Sequence, residues 1–529
     1  MNNTIFIVLF QLFLLLGSIQ AQQGLMMDSI VVEREKQSLS TFNRFRLDFI
    51  GNLRDAEYMT ISGLQVGEET DAWSLDKAEQ ALRRSGLFQS VRIEIDTVDS
   101  RHCTPYIVIR EELPNYGPGL LVNIGGGELA LGARFESKRL FGHAMDMLLD
   151  IRNRTELGIG MQGITGFHWN TAFDLPLSLG FNLRSHSLTT ELSLDISKTP
   201  NPTGGMFYGA RFNSGQGIDF VFNGVNPEKI SFEAQEVSAW GGWLLPHRDD
   251  LFFTLHVNSK QAERGNVKTV QVFDNTQSVL LGFGSLADRT ITFNERDIPI
   301  GAWGTAVLGR IMPFNGNSGK SYYYVGGFLE QSNLMLKNQL YLAGSVSAGS
   351  GISQGTPINT ALEIDAVGHW NPMPNMAIIG FFSQRSVWNW DGFRQLTLDN
   401  DNGVRGIPLN RRFGLNRMAG TLECRADILA LAMNLRLGMT GFADAGTVWN
   451  AGDPLFGTQW SSALGLGLVI SGDNIAGLQS FPYLRIEYAH GLQEQSYSGI
   501  VLSTSFAIPT IKKHGYAIPK QIGLGIDTE

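Results

Sequence analysis

Polar and apolar residues alternate with a period of two along most of this 529-residue chain, from about Tyr116 onward. Such alternation is typical of β-strands, because successive side chains of a strand point to opposite faces. The clearest case lies between Met418 and Ile428, where one face suits lipid and the other suits water. The apolar face holds Met418, Leu422, Cys424, Ala426 and Ile428, and the polar face holds Thr421, Glu423, Arg425 and Asp427.

Three later segments repeat this division: Met433 to Met439, Leu464 to Ile470 and Leu484 to Tyr488. A soluble sandwich would show the same period with its apolar face inward, so the alternation alone leaves the inside undetermined. The 61 glycines, together with an export signal at the start of the chain, favour an apolar exterior.

The length of the alternating region bounds the number of strands. Beyond the first 21 residues, no apolar stretch approaches the roughly 20 residues of a spanning helix, so the chain would cross a membrane as strands. Residues 116–508 comprise 393 positions, and a transmembrane strand takes about 9 to 11 residues. We therefore expect a transmembrane antiparallel β-barrel over residues 115–508, followed by a tail over residues 509–529. Sixteen strands fit this length, as would fewer strands with longer loops.

The first 21 residues predict export. Ile5 to Leu16 form an almost wholly apolar run that is too short for a membrane-spanning helix and ends at small and polar residues. Ala21 fits the cleavage point of a secretory signal peptide, which leaves residues 22–40 as an N-terminal segment. Export and strand-based crossing together predict the cell outer membrane of a Gram-negative bacterium.

Residues 41–114 mix helical and strand patterns and predict one small α/β domain. Its expected order is strand, short helix, helix, strand, strand. The first strand is expected at Phe45 to Phe49, before a turn at Gly51 and Asn52. The last two strands are expected around Val91 to Ile95 and Tyr106 to Arg110.

The second helix of this domain has recognisable ends. Ser74 can cap its first turn, and Gly86 stands where a helix C-terminus favours a left-handed residue. Apolar residues recur between them at helical spacing, namely Leu75, Ala78, Ala81 and Leu82. We expect Phe88 to fold back and be buried against the helix that carries Leu82.

Several classes of function are disfavoured by composition and spacing. The net charge of -9 is spread along the chain with no run of Lys or Arg, which argues against a nucleic-acid partner. Cys103 and Cys424 show no metal-ligand or redox spacing, and the nine histidines form no zinc-binding helix motif. We expect no cofactor and no metal. The tryptophans near strand ends are expected in aromatic girdles, namely Trp388, Trp390 and Trp449.

Two short motifs suggest chemistry that their surroundings do not support. Gly351 to Gly355 fits a nucleophile elbow, but it lies between apparent strands, whereas an elbow requires a strand-to-helix turn. Asp399 to Gly403 resembles the start of a calcium loop, but Asn410 stands where the twelfth position needs Glu. We therefore expect that the protein is not an enzyme.

Three segments occur in the order seen in one family: Val404-Arg405-Gly406-Ile407, Gly420-Thr421-Leu422-Glu423, and Phe442 to Trp449. With them the chain resembles the BamA/TpsB superfamily, also called bacterial surface antigens. Residues 41–114 are similar to its POTRA domains, through Phe45 to Asn52 and Leu82 to Val91. The resemblance implies a sixteen-stranded barrel after one POTRA domain.

In that family, an extracellular loop folds back into the barrel and its Arg pairs with acidic residues on the inner wall. Carried over, these residues are Arg405, Glu423 and Asp444. The loop motif adds Val404, Gly406 and Ile407, the last at a position where the family has Tyr or Phe, and the strand motif adds Phe442 and Gly446. The alternation agrees independently, because it places Glu423 and Asp444 on the polar faces of their strands.

The resemblance implies an insertase or translocase that captures client proteins through its POTRA domain and inserts or exports them through the barrel. The expected partners are outer-membrane lipids, unfolded or extended client proteins and periplasmic accessory proteins. Two other functions remain open from the sequence, a passive outer-membrane channel and a structural surface protein.

Overall fold

The structure is a computed structural model that describes residues 25–34, most of 53–503, and 518–522. The gaps within 53–503 fall in the connections between strands. Three predicted features lie outside the described residues: the signal peptide over residues 1–21, the strand at Phe45 to Phe49, and the turn at Gly51 and Asn52. No helix among the described residues is long and apolar enough to cross a membrane.

A small α/β domain precedes the barrel. Its elements are β1 (Leu25–Met27), β2 (Val31–Arg34), α1 (Asp55–Ser62), β3 (Glu69–Thr70), α2 (Ala72–Ser85), β4 (Phe88–Thr97) and β5 (His102–Glu111). Strand β5 pairs in parallel with β1 and β2 and antiparallel with β4. Because β1 and β2 belong to this sheet, the domain extends upstream of the boundary expected at residue 41. These strands are only three and four residues long, too short to show alternation in the sequence.

Helix α2 organises the core of this domain. Its N-cap is Asp71 instead of the expected Ser74, because the Asp71 carboxylate accepts a hydrogen bond from the Ser74 backbone N–H at 2.8 Å. The helix ends as expected at Gly86, which has a left-handed φ of 67°. Leu82 and Phe88 are both buried in one apolar cluster, so the predicted burial of Phe88 is confirmed.

Antiparallel strands then close into a barrel. The strands of this region are β6 (Pro118–Gly125), β7 (Glu128–Ser137), β8 (Met145–Arg154), β9 (Gly160–Trp169), β10 (Leu177–His186), β11 (Thr189–Lys198), β12 (Gly205–Phe222), β13 (Pro227–Leu244), β14 (Phe252–Gly265), β15 (Val272–Phe273), β16 (Thr276–Phe293), β17 (Arg296–Pro313), β18 (Tyr322–Met335), β19 (Leu340–Ser353), β20 (Thr356–Met373), β21 (Met376–Trp388), β22 (Leu396–Thr397), β23 (Phe413–Gly414), β24 (Asn416–Ala430), β25 (Leu435–Trp449), β26 (Ser461–Gly472), β27 (Tyr483–Gly491) and β28 (Ser498–Ser503).

The barrel has twenty strands among the described residues, so the prediction of sixteen is wrong. The short strands β15, β22 and β23 are not counted among the twenty. Length alone did not exclude twenty, because strands β6 to β11 have only 8 to 10 residues each and the 393 positions of this region hold more than sixteen such strands with their connections. Some of their connections are also tight, as between His186 and Thr189. The barrel closes where β28 pairs with β6, through Leu502 with Ile124 and Ser503 with Asn123.

The barrel is apolar outside and polar inside. In β24, the Leu422 side chain is 59% exposed whereas Glu423 is fully buried. In β27, Ile486 and Tyr488 are exposed whereas Glu487, which lies between them, is buried. The predicted alternation of the two faces is therefore confirmed in these strands. A closed barrel with an apolar outer face suits a lipid bilayer, because every strand edge is paired.

The N-terminal domain contacts one end of the barrel, which we call the near mouth. The Arg54 guanidinium bonds the Asp174 carboxylate at 2.5 Å, and Glu57 contacts His143 at 2.7 Å. His143 and Asp174 belong to the connections β7–β8 and β9–β10. These connections therefore lie at the near mouth, and the opposite end is the far mouth.

Helix α2 makes a second contact with the near mouth. Asp76 forms an ion pair with Arg289, and the Gln80 side chain accepts a hydrogen bond from the Thr290 backbone N–H at 2.6 Å. Both barrel residues lie in β16. The domain thus contacts the barrel at two separated places along its circumference.

Candidate functional site in the barrel lumen

Residues 389–415 connect β21 to β24 at the far mouth, and we call this connection the lumen loop. Within it, β22 and β23 pair with each other. Its centre turns into the barrel, where Val404, Arg405 and Ile407 are at most 5% exposed. An unpaired buried charge is costly, so the buried Arg405 side chain requires partners on the barrel wall.

The main partner of Arg405 is Asp444 on β25. The Arg405 Nε lies 2.8 Å from Asp444 Oδ2, and its Nη2 lies 2.9 Å from Oδ1. The Arg405 backbone N–H also donates to Asp444 Oδ2 at 3.1 Å. Two parallel N–H···O bonds define the direction of a guanidinium as well as its position. Asp444 therefore holds both the side chain and the backbone of the loop residue.

Two further carboxylates and an aromatic ring complete the surroundings of Arg405. Its Nη1 lies 3.1 Å from Glu423 Oε2 and 3.2 Å from Glu487 Oε2. Its guanidinium carbon lies 3.4 Å from the centre of the Phe442 ring, within the range of a cation–π contact. The acidic partners thus come from three strands, β24, β25 and β27.

Two more arginines balance these carboxylates. Arg485 Nη2 bonds Glu423 Oε2 at 2.8 Å and also Glu487, and Arg425 Nε bonds Glu423 Oε1. We call the six residues the lumen ion cluster: Arg405, Arg425, Arg485, Glu423, Asp444 and Glu487. It contains three cations and three anions, so each buried charge has an opposite charge close by.

The charge of Arg405 is stabilised by this arrangement. Burial alone would lower the pKa of its guanidinium. The hydrogen bond and charge of Asp444, with the charges of Glu487 and Glu423, outweigh burial and raise that pKa above its ordinary value. Arg405 therefore remains a cation, and its loop remains attached electrostatically to the wall.

Apolar contacts fasten the loop beside the ion cluster. Val404 and Ile407 pack in one buried cluster with Ala419 of β24 and Ala463 of β26, together with Leu398 of the loop. Ile407 occupies the position where the resemblance implies an aromatic residue. Its 5% exposure shows that the smaller side chain is still buried here.

Two glycines make the seating of the loop possible. Gly406 has a φ of 79°, in the left-handed region that favours glycine. A Cβ on Gly446 would lie 2.8 Å from Leu398 Cδ1 and 3.0 Å from Val404 Cγ2. Gly446 therefore leaves the space on β25 that the two loop side chains fill.

All eight residues singled out from the sequence meet at this one place in the lumen: Val404, Arg405, Gly406, Ile407, Glu423, Phe442, Asp444 and Gly446. Three further residues belong to the site but were not predicted as members of it, namely Arg425, Arg485 and Glu487. Their alternation already placed them on polar faces, but no motif connected β27 with Arg405.

The two discounted motifs lie in ordinary turns and loops. Gly351, Ile352 and Ser353 end β19, and the next strand begins at Thr356, so the strand-to-helix turn of an elbow is absent there. In the calcium-like segment, Asp399 accepts a bond from Val404 N through its backbone carbonyl, whereas Asp401 and Asn402 lie outside the described residues.

One cluster among the described residues has the spacing of a metal site, namely Glu57, His143 and Asp174 at the near mouth. Arg54 lies among these groups, 2.7 Å from His143 Nδ1 and 2.5 Å from Asp174 Oδ1. A cation at that position already neutralises the carboxylates, so we interpret the cluster as an ion-pair network between domain and barrel.

The comparisons with known proteins gave matches among solved structures alone. No family model and no curated protein matches the chain. BamA from Haemophilus ducreyi lacking POTRA domains 1–3 is 13% identical, with 91% of this chain and 84% of that chain covered and a TM-score of 0.41. CdiB from Acinetobacter baumannii is 12% identical, with coverages of 91% and 73% and a TM-score of 0.46. CdiB from Escherichia coli is 12% identical, with coverages of 91% and 76% and a TM-score of 0.45.

Proposed function

We propose that the chain is an outer-membrane insertase or translocase of the BamA/TpsB type, with the N-terminal domain in the periplasm as a POTRA domain. The observation that carries this proposal is Arg405, buried in the lumen and bonded to acidic residues of three strands. The near mouth then faces the periplasm, and the far mouth faces the outside of the cell.

The lumen loop would act mechanically. A carboxylate cluster with a bidentate Arg holds the loop in one position, and no nucleophile or cofactor is needed for that role. Because the partners belong to β24, β25 and β27, a change in the spacing of these strands would alter the hold on the loop. We therefore propose that the bonds of Arg405 to Glu423, Asp444 and Glu487, which we call the lumen lock, couple the state of the barrel wall to passage or insertion of a client.

The N-terminal domain would capture clients by adding a strand to its sheet. Strand β4 pairs with β5 on one side, and no strand pairs with its other edge among the described residues. The Glu79 side chain accepts the Ile93 N–H at 3.0 Å on that edge. The remaining stretch, Glu94 to Thr97, is exposed and can offer main-chain bonds to an extended client.

The experiment that tests this proposal is depletion of the protein in cells that carry it, followed by a quantitative survey of the outer membrane and the medium. An insertase or translocase predicts selective loss of particular outer-membrane or secreted proteins before growth stops. If depletion leaves that survey unchanged while the uptake of small solutes falls, a passive channel is the better account.

A matched pair of variants makes the survey specific. Ile95→Pro removes a donor and kinks the exposed end of β4, whereas Ile95→Thr keeps strand propensity at the same position. At normal levels of the variant protein, we expect Ile95→Pro to leave some of the depleted client proteins missing. Ile95→Thr should restore those proteins. Full restoration by both variants would contradict client capture at this edge.

A further inference from the structure

Residues 518–522 follow the last barrel strand in the sequence but lie inside the barrel, and we call them the post-barrel segment. Tyr322 Oη donates to Gln521 Oε1 at 3.1 Å, and the Ile522 backbone N–H donates to Tyr324 Oη at 2.9 Å. Both tyrosines are at most 9% exposed, whereas Tyr323 between them is 66% exposed. The alternation therefore places Tyr322 and Tyr324 on the lumen side of β18.

Apolar contacts hold the same segment. Ile522 is buried in a cluster with Ala361 of β20 and Val387 of β21. Trp390, which the sequence placed in an aromatic girdle, instead packs against this cluster. At the other end of the segment, the Pro519 ring lies 3.0 Å from where a Cβ of Gly282 would stand. The segment thus crosses the inner wall from β16 to β21.

Two glycines of β19 leave room on the inner wall for the side chains of Tyr322 and Tyr324. A Cβ on Gly351 would lie 2.5 Å from the Tyr322 ring, and one on Gly349 would overlap the Tyr324 hydroxyl. These two glycines let the tyrosine side chains lie against β19. Part of the motif that mimicked a nucleophile elbow therefore has a packing role here.

This part of the wall is also unusually apolar. The side chains of a buried cluster face the lumen here, whereas the inner wall of a transmembrane barrel is ordinarily polar. Its members are Leu280, Val307, Ile311, Tyr322, Tyr324 and Ile358. Water would contact these side chains in an empty lumen, and barrels of about 16 to 18 strands are already wide enough for an aqueous channel. The post-barrel segment covers part of this surface.

We propose that the post-barrel segment is an internal plug that restricts passage through the lumen, and that release of Ile522 from Ala361 and Val387 opens the passage. Two hydrogen bonds and one buried apolar side chain hold it at its C-terminal end. These contacts are few in comparison with the ladders of the barrel, so the segment can leave without unfolding the wall. The inference concerns passage through the barrel and holds whichever client the protein handles.

The test is ion conductance of the full chain in planar lipid bilayers. Ile522→Asp places a carboxylate in an apolar pocket and should release the segment, because an unpaired buried charge is unfavourable. We expect its mean conductance to rise several-fold above that of the unchanged protein. Lys520→Ala is the matched control, because Lys520 lies in the same segment but is exposed, and its conductance should stay near that of the unchanged protein.

A second measurement separates plugging from a damaged barrel. In a Cys103→Ala, Cys424→Ala background, cysteines replace Ala361 and Ile522 and are joined by a short bifunctional thiol reagent. We expect low conductance after cross-linking and higher conductance before it, and the fast-migrating unheated gel band of a folded barrel should be retained in both cases. Equal conductance of Ile522→Asp and the unchanged protein, or opening by Lys520→Ala to the same extent, would overturn the proposal.

Discussion

Arg405 and Asp444 form a bidentate ion pair in the barrel lumen, with N–O distances of 2.8 and 2.9 Å, although 39 positions separate them in the sequence. The side chains of both residues are at most 5% exposed. The pair connects the middle of a long loop to a barrel strand.

Arg405→Ala should release the lumen loop without unfolding the barrel. Removing one partner of a buried ion pair costs about 3 to 5 kcal/mol, which is an upper limit if water reaches the remaining charges. Asp444→Ala should have a similar effect. Because both changes break one contact, the double variant should be little worse than either single variant. The measurement is the rate of protease cleavage within the loop in intact cells.

The control for this comparison is Arg152→Ala, which removes an ion pair with Asp150 on β8, away from the loop. Its loop should be cleaved at the rate of the unchanged protein. Additive effects of the Arg405 and Asp444 changes, or a loop that is cleaved rapidly in the unchanged protein, would exclude the lock.

Glu423→Ala should destabilise the barrel wall more than Asp444→Ala does. Glu423 bonds Arg405, Arg425 and Arg485, whereas among the described residues the bonds of Asp444 all go to Arg405. Loss of Glu423 therefore leaves three buried or half-buried cations with fewer counter-charges. The temperature at which the folded barrel band disappears on gels should fall further for Glu423→Ala. A larger fall for Asp444→Ala would contradict this distribution of charge.

Gly446→Ala should displace the loop although it adds only one methyl group. The new Cβ would lie 2.8 Å from Leu398 and 2.9 Å from the Met418 carbonyl oxygen, which are closer than ordinary packing distances. Gly441→Ala on the same strand is the control, since its Cβ would lie 3.2 Å from the end of the flexible Leu466 side chain. We expect protease to cleave the loop faster in Gly446→Ala than in Gly441→Ala. Equal cleavage of the two variants would contradict this role of Gly446.

Phe88→Ala should unfold the N-terminal domain and leave the barrel folded. Truncation of a buried Phe costs about 3 to 5 kcal/mol. Cys103 reports on this core, because its thiol is fully buried there and burial raises its pKa. In a Cys424→Ala background, maleimide should label Cys103 much faster in Phe88→Ala. Val98→Ala, at a 64% exposed position, should leave the labelling slow.

Unchanged labelling of Cys103 in Phe88→Ala would show that Phe88 does not stabilise this core. Labelling accompanied by loss of the folded barrel band would show instead that the domain and the barrel unfold as one unit.

Much of the lock could be predicted because its information is local. Alternation around Glu423 and Asp444 shows which way each side chain points, and the loop motif supplies Arg405. Glu487 also alternates inward, but its distance from Arg405 depends on which strands are neighbours in the closed barrel. That spatial order is a property of the whole sheet.

Two features depended on long-range structure and were not predicted. The strand number follows from the lengths of many connections, such as the short one between His186 and Thr189. Period-two alternation does not define these lengths. The position of residues 518–522 in the lumen depends on apolar side chains of β16 to β21, and nothing in those five residues indicates a barrel interior.

The most direct test of the central claim is complementation of depleted cells with the unchanged protein, Arg405→Ala or Arg152→Ala, at equal amounts in the outer membrane. The unchanged protein and Arg152→Ala should restore the outer-membrane and secreted proteins that depletion removes. Arg405→Ala should leave those same proteins depleted although its own barrel is folded. Full restoration by Arg405→Ala would contradict a role of the lumen lock in client handling.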